Sequence, residues 1–153
     1  MNSEVLYRAR EVEDRVERLA AKLLGSEEPI GIDYVSVFTN DEAEYERLCM
    51  SASIDGAKIY EKNGDIYKFT IGTKPMFVRI GKPMDSELIG CGDIFVPDYQ
   101  KISKKLIELG YSEASKSLEG VDYTIIAVPD QISEVALYLP SKRIIEAITS
   151  QAS

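Results

Sequence analysis

Val5, Ala9, Val12, Val16, Leu19 and Leu23 recur at alternating spacings of four and three between charged neighbours. That is the period of a helix with one narrow apolar stripe. It predicts a helix over residues 3–24, with Ser3 as N-cap and Gly25 just past its end. So narrow a seam suits packing on its own domain, or pairing with a second copy in a homodimer. After a linker at Ser26–Pro29 the period falls to two. Gly31–Phe38 predicts a strand with Val35 and Val37 on one face and Tyr34 and Ser36 on the other. A helix follows, capped by Asn40 or Asp41, then two alternating runs joined at Asn63-Gly64, the pair favoured in a two-residue type I′ hairpin. A further strand spans Pro75–Gly81.

The second half repeats this order. A strand beginning at Gly90 leads to a helix capped by Asp98 and closed by Gly110, with Ile102, Leu106 and Leu109 as its stripe. Strands follow near Ser112–Leu118, from Val121 and before Pro140, and a short helix is predicted over Ser141–Ile148. The chain therefore reads as an α+β fold of two β-α-β-β-β modules, an internal duplication visible as pattern. The expected layout is an N-terminal helix and linker over 1–29, a first module over 30–90 and a second over 91–153, in one domain.

At 153 residues the chain can bury a sizeable core without disulfides or metals. Its net charge of −8 argues against general nucleic-acid binding, which relies on Lys and Arg at phosphates. No apolar run is long enough to span a membrane, and the charged start is unlike an export signal, so a cytoplasmic protein is expected. There is no histidine. That removes the usual base near neutral pH, the Ser–His and Cys–His nucleophile pairs and the commonest zinc ligand. The Gly90–Gly92 glycines open an extended run rather than a helix, so they make no nucleotide loop.

Two segments, Ile32–Leu48 and Asp93–Gly110, resemble the first strand and helix of each module in the vicinal oxygen chelate superfamily, which includes glyoxalase I and extradiol dioxygenases. The leading amphipathic helix is similar to the YecM-like branch of that superfamily. The resemblance implies curved mixed sheets around a shared cavity. It also implies, in many members, a divalent metal held near the start of each module's first strand and late in its last. Aligning the helix caps Asp41 and Asp98 places Tyr34, Cys91, Arg79 and the Ala136–Tyr138 stretch at those positions. An arginine repels a divalent ion, and this set is no match for an N/O metal site. Neither metal nor cofactor is therefore expected.

Strand alternation assigns the cavity face without the family. Tyr34, Ser36, Phe77, Arg79, Cys91, Asp93, Phe95 and Tyr138 point inward, with Lys68 and Thr70 lining the same space. Arg79 either pairs with Asp93 or clamps an anion, for which its planar fork is suited. A desolvated Asp93 can act as an acid or base, and is the one catalytic candidate. The leading reading is a binding or interaction protein for a small anionic metabolite, with ligand contacts at Arg79, Asp93, Tyr34, Ser36, Tyr138 and Lys68. The alternatives are an enzyme on a carboxylate- or phosphate-bearing substrate, with Arg79 as clamp and Asp93 as acid/base, and a tandem ferredoxin-like or ACT-type regulatory domain.

Overall fold

A computed structural model describes residues 3–25, 30–62 and 64–152. The linker at 26–29 and Asn63 of the expected hairpin lie outside the described residues. Helix α1 spans Glu4–Leu24. The Ser3 hydroxyl accepts from Leu6 N–H at its start, and Gly25 ends it with a φ of 89°. Its stripe of Val5, Ala9, Val12, Val16 and Leu19 is buried, and the helix lies across β1 (Gly31–Val37), β5 (Gly90–Phe95) and β8 (Val135–Pro140). The seam that suggested a homodimer is thus spent within the chain. Ion pairs from Arg8 to Glu44 and from Arg47 to Glu4 tie α1 to α2 (Glu42–Asp55).

The remaining elements are β2 (Ala57–Tyr60), β3 (Asp65–Ile71), β4 (Lys74–Ile80), α3 (Tyr99–Glu108), β6 (Glu113–Leu118), β7 (Val121–Asp130) and α4 (Ile144–Ala152). All eight strands join one mixed sheet in the order β2-β3-β4-β1-β5-β8-β7-β6. Each half places its first strand parallel to its last, β1 beside β4 and β5 beside β8. The two first strands meet antiparallel at the centre. Each half carries one helix between its first and second strands, whereas a ferredoxin-like unit has two helices. The ferredoxin-like or ACT-type alternative is therefore set aside.

Val35, Val37, Val78, Ile80, Ile94, Val135, Leu137 and Leu139 meet α1, α2 and α3 in the main core. Two glycines let α1 approach closely. A Cβ on Gly90 would collide with the Ser36 carbonyl and Val12, and one on Gly92 would stand 2.9 Å from Val16. Helix α4 lies on the opposite, concave face, where Ile144, Ile145 and Ile148 join Ile66 in a second, smaller core. It begins at Ile144 rather than Ser141 because the Ser141 hydroxyl accepts from Thr124 N–H at 2.9 Å. Among the described residues no helix is long and apolar enough to cross a membrane.

Candidate functional site: the concave face beneath α4

The centre of the concave face is set by register across the middle strands. Ser36 lies between Arg79 on β4 and Cys91 on β5, and in the neighbouring row Asp93 lies between Tyr34 and Tyr138. Five of the inward-facing residues read from alternation, Tyr34, Ser36, Arg79, Asp93 and Tyr138, are therefore brought together here. Lys68 is not. It pairs in register with Phe77 and Ala57 on the outer side of the first half, is exposed, and does not line the cavity. Alternation gives its face but not its distance along a curved sheet.

Arg79 donates its Nε–H to the Ser36 hydroxyl at 3.0 Å, and its guanidinium lines a cavity of about 370 Å³ beside α4. Tyr34, Tyr60 and Tyr123 form aromatic walls, Ile144 and Ile148 of α4 form the apolar side, and Lys62 and Glu119 stand at the rim as an ion pair. Tyr60 donates its hydroxyl to Glu119 at 2.7 Å. Tyr60, Tyr123, Lys62 and Glu119 escape a sequence reading, because they sit at strand ends and turns that only curvature brings over the centre. The apolar Ile144-Ile145…Ile148 spacing is the signal that could have placed α4 against a sheet.

Asp93 is 4% exposed. Burial pushes its carboxyl up to about 7, against the pull of the Arg79 charge and the Tyr34 hydroxyl. Arg79 acts on Asp93 through its charge, and Tyr34 through a hydrogen bond. Burial likewise raises Tyr34 and Tyr138, with Asp93 adding to each. It also pushes the Cys91 thiol up to about 12. A carboxyl whose proton is held more tightly folded than unfolded stabilises the protein at low pH. That contribution is complete below about pH 4, the ordinary carboxylate range, and is lost as pH rises through about 7. The denaturant midpoint of the wild type is expected to fall between pH 5 and pH 8, with a shallower fall in Asp93→Asn. Identical slopes would place the titrating group elsewhere.

The metal that this architecture holds in many superfamily members does not fit these residues. Cys91 keeps its proton to about 12, Arg79 brings a positive charge, and no three Cys, Asp or Glu side chains converge among the described residues.

No family model and no curated protein matches the sequence. Among solved structures, one described as a structural-genomics protein, Protein EC4020, superposes over 97% of this chain and 94% of its own, with a TM-score of 0.64 at 16% identity. The chain has a vicinal-oxygen-chelate-like fold. A glyoxalase/bleomycin resistance protein/dioxygenase superfamily member from Vibrio splendidus 12B01 matches 73% of this chain and 97% of its own, with a TM-score of 0.48 at 11% identity. Methylmalonyl-CoA epimerase from Mycobacterium tuberculosis matches 72% and 86%, with a TM-score of 0.44 at 11% identity. At these identities the likeness concerns the fold, and function has to be argued from the site.

Proposed function

We propose that this chain is a non-catalytic binding protein for a small carboxylate- or phosphate-bearing molecule, held in the concave cavity with Arg79 as its anchor. The observation that carries the reading is the placement of the Arg79 guanidinium in the wall of an aromatic-lined cavity of about 370 Å³. That size lies within the range of small-molecule sites, where apolar walls and a few polar groups fix orientation. The Ser36 hydroxyl accepts the Nε–H, which sets the plane of the guanidinium. The planar fork of a guanidinium suits carboxylate or phosphate. The Tyr34, Tyr60 and Tyr123 rings supply rigid contact area beside the charge.

An enzymatic reading, with Arg79 as clamp and Asp93 as acid or base, draws on a carboxyl held near neutrality. Asp93 is not among the cavity walls, however, and a proton would have to pass through the Tyr34 hydroxyl. Binding without chemistry follows more directly from the geometry. The test is a thermal-shift screen with inorganic phosphate, succinate, pyruvate and citrate. At least one of these is expected to raise the wild-type midpoint in a saturable way and to leave Arg79→Met unmoved, with Arg79→Lys in between. No shift in the wild type, or equal shifts in all three proteins, would reject the assignment.

A further inference from the structure

The concave cavity is bounded on one side by a joint between the two ends of the sheet. Strands β2 and β6 are the outermost strands, with six strands between them, and among the described residues they share no ladder. They nevertheless meet at one end through a side chain. Glu119 Oε1 accepts from the hydroxyl of Tyr60, the last residue of β2, at 2.7 Å, and it also pairs with Nζ of Lys62. Glu119 itself follows β6, in the turn that leads into β7. Tyr60, Lys62, Leu118 and Glu119 all line the cavity, so the joint is part of its wall.

Two features set Glu119 apart. Its φ is 51° and that of Gly120 is 80°, so both loop residues of the β6–β7 hairpin are left-handed, the form of a type I′ turn. Asn, Asp and Gly fill the first of those positions with least strain, whereas a longer side chain is disfavoured there. Strain of this kind persists only where the surroundings hold it, and it gathers at sites and switches. The second feature is how lightly the joint is fastened. Lys62 is 69% exposed, and an ion pair open to water is weak. The opposite wall is fixed more firmly: Ile144 and Ile148 of α4 are buried in the second core, and Arg143 ties the start of that helix to Asp33. The joint is therefore the part of the wall that opens most easily.

We propose that Glu119 is the gate of the concave cavity. Its release from Tyr60 and Lys62 lets the ends of β2 and β6 part, and the anion passes between them to Arg79. This rests on the concave-site reading above and adds the route of entry. A gate that is shut most of the time lowers the association and dissociation rates by the same factor and leaves the equilibrium affinity as it was.

The experiment is stopped-flow binding of 2-naphthoate, a fluorescent carboxylate, to the full chain. It is followed by energy transfer from tyrosine, since the chain has nine tyrosines and no tryptophan. The double variant Lys62→Gln, Glu119→Gly removes the joint, keeps the net charge and puts glycine where the backbone favours it. Its association and dissociation rates are expected to rise together at least fivefold, with Kd within twofold of the wild type. The double variant Lys62→Gln, Glu119→Gln keeps an acceptor for Tyr60, and its rates are expected in between. Unchanged rates in both, a rise in the dissociation rate alone, or no binding by any of these proteins would overturn the gate. Arg79→Met separates the two readings. If it binds 2-naphthoate as the wild type does, the concave-site assignment fails and the gate with it. If it loses binding while the double variants keep wild-type rates, the gate alone fails.

Discussion

Val16→Asp is expected to yield a protein that does not fold. Val16 is fully buried on α1, in the same core as Val35, Ile94 and Leu137, and Gly92 lies directly beneath it. A carboxylate there would have neither water nor a donor, and the backbone at Gly92 offers no side chain to yield space. Losses from such burial exceed about 4–5 kcal/mol, against a total stability of about 5–15 kcal/mol for a domain. The same charge placed on the solvent side of the helix, Arg18→Asp, is expected to change stability by only about 0.5 kcal/mol. Circular dichroism and size-exclusion chromatography separate the outcomes. A folded Val16→Asp monomer with a native melting transition would mean that α1 is dispensable to the core. A folded protein that has lost only a second copy would restore the seam to a dimer interface.

Arg143→Ala should cost about 2–3 kcal/mol and loosen α4. This one side chain holds three partners: Asp33 through two hydrogen bonds, Glu146 through an ion pair, and Phe95, whose ring centre lies 4.2 Å from the guanidinium carbon. Without it both Asp33 oxygens are left without donors. Breaking a fully buried pair costs about 3–5 kcal/mol. The figure here is lower because Arg143 is 42% exposed, and water can take up part of its role. The control is a double-mutant cycle with Asp33→Asn, since the neutral amide removes the charge that Arg143 answers. The double variant is expected to recover much of the lost stability. Strict additivity of the two single changes would show that the contact carries no coupling. Limited proteolysis should cut Arg143→Ala after residue 140 before it cuts the wild type.

The central face was readable because period-2 alternation is rigid. Once Val35, Val78, Ile94 and Leu137 are assigned to the helices, Tyr34, Ser36, Arg79, Asp93 and Tyr138 can only point the other way. Alternation says nothing of curvature, which carried Lys68 out to solvent and brought Tyr60 and Tyr123 over the centre. It also fails at a bulge. Asp33 keeps parity with Val35 and Val37, yet the register shift beside it lets its carboxyl reach Arg143. A charge on an otherwise apolar strand face was the available clue. The destination of α4 was illegible for another reason: an apolar helix stripe records that it is buried, not on which side of the sheet.

The two glycines of β5 determine where α1 rests along its length. Val12 sits over Gly90 and Val16 over Gly92. Four helical residues advance about 6 Å, and two strand residues advance about 6.6 Å. Those steps are nearly equal, so two consecutive helix turns drop into two consecutive gaps in the sheet, as pegs into a rack. Sliding α1 by one turn would leave one gap empty and lift the helix off the strand backbone. The helix is thus located by missing side chains as much as by present ones. Because β5 opens the second half while α1 precedes the first, that fit clamps the two halves together from outside the repeat.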